Sequence, residues 1–363
     1  MVRSYNRPTT LRELLGLLLA QDHDSFEIVV VEQSTQTSAE DAAALADLAC
    51  DKRLRILHFR PLGGPGARNA GVRASRGELL VFIDDDDLPA SLDWLRLHEA
   101  NFADPACLGV TGQFVDEVGH ETSYVNPAKA ERNVLSFNFL KWQRVYAKTG
   151  VRKPVQSLMG GNAAIRRTTL QRFGLWDECT PIEDEPSLAY RIAEGKQADE
   201  YVLFDPGPKM IRRLNAPGGM AKRGLSGPAY GRKVFTFMHN IIGHYFPVRF
   251  ALLYPFYLVF LGVHCTEWIV SDSKKHTTLG ARALAVIGLW LTLPLMWTYW
   301  LAGYWLARIR TGAPVHRPQL ETDPSPSAAA SLDTDMATAM RIGVDRGSAG
   351  TRAATDLETV GPR

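Results

Sequence analysis

A chain of 363 residues, 45% hydrophobic and 22% charged, has room for one large domain plus an appendage. Its net charge of +2 gives no bulk attraction for nucleic acid. The four cysteines, Cys50, Cys107, Cys179 and Cys265, form no CxxC pair and have no histidine at metal spacing, which argues against a zinc site or a disulfide frame and for the reduced thiols of a cytosolic protein.

Met1-Val2-Arg3-Ser4 runs directly into Tyr5-Asn6-Arg7-Pro8, so no signal peptide is expected. Thr10-Leu11-Arg12-Glu13 has the form of a capping box, and Leu11, Leu14, Leu15, Leu18 and Leu19 follow at helical spacing. Residues 26–31 read as a buried strand ending at Glu32, 38–49 as a helix, and 54–59 as a second strand. A Gly-rich turn over 62–66 leads into a helix containing Ala67-Arg68-Asn69-Ala70-Gly71. Residues 79–83 make the next strand, and four aspartates, Asp84 to Asp87, emerge at its carboxyl end.

This alternation predicts an α/β fold with a mainly parallel sheet, in which ligands sit outside the carboxyl ends of the strands. Glu32 and Asp84 both fall at such ends. Aspartates packed this closely repel one another, and a divalent cation that also holds phosphates relieves the repulsion. Leu88-Pro89 behind the run excludes an EF-hand loop, because Pro89 stands where the turn glycine belongs. Gly64-Pro65-Gly66-Ala67-Arg68-Asn69 is an imperfect dinucleotide fingerprint with Asn69 at the third glycine position, and no Walker A sequence is present.

Taken in order, Tyr5-Asn6-Arg7-Pro8, Glu32-Gln33-Ser34, Gly66 to Gly71, Asp84 to Asp87, Gly160-Gly161-Asn162, Phe173 to Glu178 and Glu183-Asp184 resemble the family 2 glycosyltransferases of the GT-A fold, over roughly residues 1–220. The resemblance implies that Glu32 accepts hydrogen bonds from a nucleotide base. It makes Asp84 and Asp86 the DxD pair holding ribose and metal-diphosphate, with Asp85 beside them, and the cofactor a divalent cation, Mn2+ or Mg2+. Arg68 adds positive charge near base or phosphates, or is a helix-surface arginine. Gly160, Gly161 and Asn162 line the sugar and acceptor pocket, where paired glycines permit close approach, or form a β-bulge. Glu183 and Asp184 open a helix, where acids suit the dipole; the resemblance implies that Asp184 is the general base of an inverting transfer.

Three departures stand out. Only Met1 and Val2 precede Arg3, so the first strand is expected to be truncated or the start placed too far downstream. Glu32 replaces the usual aspartate. Arginine (Arg212, Arg213) stands near the place where relatives carry a histidine before Gly218-Gly219, and a guanidinium neutralises phosphate but ligates no metal.

Residues 284–307 carry no charge and are long enough to span a bilayer, while 250–270 are weaker, with His264 and Glu267 inside. The expectation is a GT-A domain over 1–220, a connector over 221–249, an apolar membrane hairpin over 250–310 and a disordered tail over 311–363. The function expected is transfer of sugar from a nucleotide-diphosphate donor to a glycan or lipid-linked acceptor in cell-surface polysaccharide synthesis, at the cell membrane with the catalytic domain cytoplasmic. The alternatives are a polyprenyl-phosphate sugar synthase and a non-catalytic sugar-nucleotide-binding scaffold.

Overall fold

The computed structural model describes residues 1–116, 150–156, 158, 160–178, 185–213, 235, 238–239, 243, 247–271, 278–311 and 320. Its strands form one sheet, in the spatial order 54–58, 28–32, 2–4, 79–84, 162–166, 107–116, 201–212 and 87–89, with 153–155 paired to 201–212. The first three strands to pair are β1 (Val2–Ser4), β2 (Ile28–Glu32) and β3 (Leu54–His58), all parallel, and β4 (Leu79–Asp84) lies parallel to β1. Every residue of β2 is buried, as its unbroken apolar run requires of a central strand covered on both faces.

The helices between these strands follow the sequence closely. α1 (Pro8–Leu19) buries Leu11, Leu14, Leu15 and Leu18 on one face. It begins earlier than the capping-box reading places it, because Pro8 is preorganised for the first helical turn. The Thr10 hydroxyl therefore donates to the Arg7 carbonyl, and Glu13 pairs with Arg213 instead of capping. α2 (Ala39–Leu48) is capped by Ser38, whose Oγ accepts from the Asp41 amide at 3.0 Å.

α3 (Gly63–Ala74) corrects the sequence reading: the Gly-rich segment is the first turn of the helix itself. Small residues let this helix lie close on the sheet. A Cβ at Gly71 would come within 2.3 Å of the Met1 side chain.

Beyond β4 the sheet is mixed, not mainly parallel. β5 (Asp87–Pro89) and α4 (Trp94–Ala100) lead to β6 (Cys107–Asp116); β7 (Lys153–Val155), β8 (Asn162–Arg166), α5 (Arg167–Phe173), α6 (Glu185–Gly195) and β9 (Tyr201–Arg212) complete the sheet region. β8 runs antiparallel to both β4 and β6, and β9 runs parallel to β6 but antiparallel to β5 and β7. A helix between two strands fixes neither adjacency nor direction; β8 takes the place beside β4 that a simple βαβ continuation would give to β6.

β1 flanks only the carboxyl-terminal parts of its neighbours: Val2 faces Val30 on one side and Ile83 on the other. Below it a cavity of about 320 Å³ opens, lined in part by Ile28, Val29, Leu80, Trp94 and Phe102.

At the carboxyl-terminal end, α7 (Pro247–Leu253) and a 3₁₀ turn containing Pro255 precede α8 (Tyr257–Ser271), which packs against α9 (Leu279–Thr311). Trp290 seats on Gly262 and donates its indole N–H to Thr266 Oγ1 at 3.0 Å. Tyr190 of α6 shares one apolar cluster with Phe235, Tyr257, Leu261 and Trp297, so the helical pair is joined to the sheet domain. Pro255 leaves α8 only 15 residues long, about 22 Å, short of a bilayer core. Among the described residues one helix, over Leu279–Leu306, is long and apolar enough to cross a membrane by length and composition, and α8 is its shorter partner in the helical pair expected over 250–310. Of the tail after Thr311, only Leu320 falls within the described residues, buried against the second core cluster.

Candidate active site

Parallel register brings the first acids together. Ser4 lies opposite Glu32, and Arg3 lies opposite Asp84, so the ends of β2, β1 and β4 form one rim. Glu32 is 4% exposed. Its Oε1 accepts from the Ser34 amide at 2.6 Å, and its Oε2 is buried with no hydrogen-bond partner among the described residues. A buried carboxylate oxygen is costly unless a donor reaches it from elsewhere. The loops around it are tied down: Asn6, in the left-handed region at φ 54°, donates its amide to Ser34 Oγ and accepts from the Thr35 amide.

The four aspartates diverge. Asp84 accepts from Arg3 through both oxygens, Nε to Oδ1 at 2.8 Å and Nη2 to Oδ2 at 3.2 Å. Burial alone would raise its pKa, but the charge and hydrogen bonds of Arg3, with Arg68 and Arg212 adding, hold it well below the usual carboxylate range. Asp85 turns away into the protein, where Arg7 Nη1 donates to it at 2.6 Å and the Tyr5 amide at 3.3 Å. Burial pushes Asp85 up to about 6 against the pull of Arg7. Asp86 shares Arg7 at 2.8 Å. Asp87 lies 3.9 Å from Arg212 Nε; burial, reinforced by the other three acids, keeps its pKa well above the ordinary value.

Oxygens of Asp84, Asp86 and Asp87 lie within 4.8 Å of one another. Three convergent carboxylates fit a hard divalent cation such as Mg2+ or Mn2+. Asp87 is thus a third member of the expected pair, and Asp85 is engaged elsewhere.

Arg68 is 2% exposed, which rules out a helix-surface residue. Its Nη2 lies 3.5 Å from Glu185 Oε1, and its guanidinium stands over Trp176 at 5.9 Å. Gly160 and Gly161 are glycines because of these groups. A Cβ at Gly160 would meet Arg68 Nη2 at 2.0 Å, and one at Gly161 would meet Asp84 Oδ2 at 3.0 Å. An alanine at Gly160 would therefore displace the Arg68 guanidinium from its place beside Glu185.

Asn162 is corrected from a pocket residue to a rivet. It is fully buried; Nδ2 donates to the Gln113 and Pro208 carbonyls, both at 3.0 Å, while Oδ1 accepts from Trp94 Nε1 at 3.1 Å and His98 Nε2 at 3.0 Å. Nothing of the amide is left for a ligand. Asn69 acts alike, accepting from the Trp176 amide and donating to the Trp176 carbonyl and Glu178, so the segments around 66–71 and 173–178 lock together. That bond accounts for asparagine at the third fingerprint position. Glu183 and Asp184 lie outside the described residues; the helix is described from Glu185 onward, where Glu185 meets Arg68.

His98 supplies a pH test of the rivet. Burial pushes it down to about 4 from 6.5. Between those values the unfolded chain binds the extra proton, so stability falls as pH falls. The stability advantage of wild type over His98→Gln is expected to shrink by about 2 kcal/mol between pH 7.5 and 4.5, in urea unfolding at the two pH values.

Arg3, Arg7 and Asp87 are the site residues to which the sequence reading gives no role. The basic residues in and beside the Tyr5-Asn6-Arg7-Pro8 motif were the available signal, since a cation next to an acid-rich strand end has an obvious partner.

Residues 1–174 match the family described as Glycosyl transferase family 2. Among curated proteins, the succinoglycan biosynthesis protein ExoO of Rhizobium meliloti is 36% identical over 88 residues, 24% of each chain. The glycosyltransferase AglE of Haloferax volcanii is 26% identical over 174 residues, 47% of this chain and 52% of that protein. The chain thus spans about half or less of the length of these relatives. Among solved structures, the mannosyltransferase PcManGT of Pyrobaculum calidifontis, in complex with GDP-Man and Mn2+, aligns at a TM-score of 0.46 and 18% identity, covering 85% of this chain and 84% of that one.

Proposed function

We propose that this chain, whose residues 1–174 belong to glycosyl transferase family 2, is an inverting, cation-assisted transferase. It moves a sugar from a nucleotide-diphosphate donor to a glycan or lipid-linked acceptor in cell-surface polysaccharide synthesis. The observation that carries the reading is one rim bearing both the orphaned Glu32 oxygen and the three convergent carboxylates of Asp84, Asp86 and Asp87.

In this reading Glu32 Oε2 accepts an N–H from the nucleotide base. Asp84, Asp86 and Asp87 hold the divalent cation, and Arg68 and Arg212 add positive charge where the diphosphate lies. The cation, when bound, supplies Lewis-acid stabilisation of charge on the departing diphosphate. The absence of side chains at Gly160 and Gly161 leaves room for the sugar beside Arg68 and Asp84. Asp184 takes the proton from the acceptor hydroxyl on the face opposite the leaving group, so one displacement inverts the anomeric centre without a covalent intermediate.

The reading extends to the membrane through α9, whose Leu284, Ile287, Leu291, Leu295 and Tyr299 are exposed apolar side chains on a helix of spanning length. The catalytic domain then faces the cytoplasm, where sugar nucleotides are made.

The test is Asp184→Asn, assayed against UDP-, GDP- and dTDP-sugars with manganese. Transfer or donor hydrolysis is expected to fall by on the order of 10²–10⁴-fold while nucleotide binding persists. Unchanged turnover removes Asp184 from the mechanism. Nucleotide binding with no turnover in wild type favours the scaffold, and an organic-extractable product identifies a lipid acceptor.

A further inference from the structure

Each carboxylate facing the cation position already has a guanidinium. Asp84 is forked by Arg3, Asp86 is bound by Arg7, and Asp87 faces Arg212. Arg68 and Arg213 are nearby but have acids of their own, Glu185 and Glu13. Four aspartates against three facing arginines leave the cluster close to neutral. A free dication meets little net attraction there and must compete with Arg3 for Asp84.

Arg3 and Arg7 differ in freedom. The Arg7 side chain is 6% exposed and bridges Asp85 and Asp86, so it is a fixed strut. The Arg3 side chain is 28% exposed, at the crevice rim, on a long flexible stem. A guanidinium that gives up a carboxylate finds an equally good bidentate partner in a phosphate.

Building on the cation and diphosphate roles assigned above, we propose that Arg3 is an internal counter-ion that keeps free dication binding weak and couples cation uptake to the donor diphosphate. With the crevice empty it neutralises Asp84. When cation and diphosphate arrive together, it yields Asp84 and pairs with phosphate oxygens. The cluster then discriminates for cation accompanied by diphosphate against cation alone. Arg3 acts as a positioning and specificity residue in the ground state.

The experiment is Mn2+ titration followed by electron paramagnetic resonance on the full chain, without nucleotide and with UDP or GDP, for wild type, Arg3→Gln and Arg3→Lys. Arg3→Gln is expected to bind free Mn2+ about tenfold more tightly than wild type, and to lose most of the tightening that nucleotide gives. Arg3→Lys, which keeps the charge, is expected to bind free Mn2+ as weakly as wild type. A merely structural role would weaken Mn2+ binding in both variants. The proposal is overturned if wild type takes up Mn2+ with nucleotide yet Arg3→Gln binds free Mn2+ no more tightly. If wild type binds no Mn2+ even with nucleotide, the cation reading itself falls, and the proposal with it.

Discussion

Asp84→Asn is expected to lower turnover of the best nucleotide-sugar donor by on the order of 10³-fold, since a metal-bound leaving group is stabilised by several kcal/mol. The fold should survive. Asp84 is the last residue of β4, its side chain lies at the rim, and Asn retains one oxygen for Arg3. What disappears is a negative charge at the place where Arg3, Arg68 and Arg212 converge. The variant leaves three aspartates against three facing arginines, with no net negative charge to attract a dication. Asp86→Asn is expected to behave similarly, because Arg7 keeps its bond to Asp85. Steady-state kinetics alongside a thermal melt decides the matter: near-wild-type turnover in a folded Asp84→Asn protein would remove the aspartate from the reaction.

Asn162→Ala is expected to cost about 4 kcal/mol or more of folding stability. The substitution strands four buried groups at once: the Gln113 and Pro208 carbonyls, the Trp94 indole N–H and the His98 ring N–H. Each unsatisfied buried group costs about 1–3 kcal/mol. Relaxation is restricted, since Asn162 sits where β8 meets β4, and Gly112 already packs against its amide and the Pro208 carbonyl. Chemical denaturation measures the loss. A change below about 1 kcal/mol would mean that water or neighbouring groups take over these bonds.

Stability and chemistry are adjacent here by construction. Asn162 follows Gly161, whose Cα faces Asp84 and Asp87. The rivet fixes the backbone against which the acid cluster is arranged.

The sequence disclosed the parallel half of the sheet because buried central strands are uninterrupted apolar runs. Val29, Val30 and Val31 can be placed without knowing any neighbour. The mixed half was hidden for the converse reason. β9 contains Pro206, Gly207 and Pro208, residues that interrupt a strand pattern, and they sit at a register shift against Thr111 and Gln113 where the strand is irregular. The acid cluster was legible as chemistry but not as geometry. Strand register decides that Arg3 meets Asp84, and the turn after β4 decides that Asp85 points inward while Asp87 points toward the cation position. Asn162 misled because a polar residue after two glycines looks like a ligand contact. Its partners at 94, 98, 113 and 208 are all distant in sequence, and only the fold makes them neighbours.

The most direct measurement is calorimetric binding of UDP and GDP to the wild-type chain, with Mn2+ and with chelator. The account predicts that Mn2+ tightens binding of one diphosphate at least about tenfold, as a coupling free energy between two adjacent ligands, and that Asp86→Asn abolishes this gain. Equal affinity with and without Mn2+, or a gain that survives in Asp86→Asn, would contradict it.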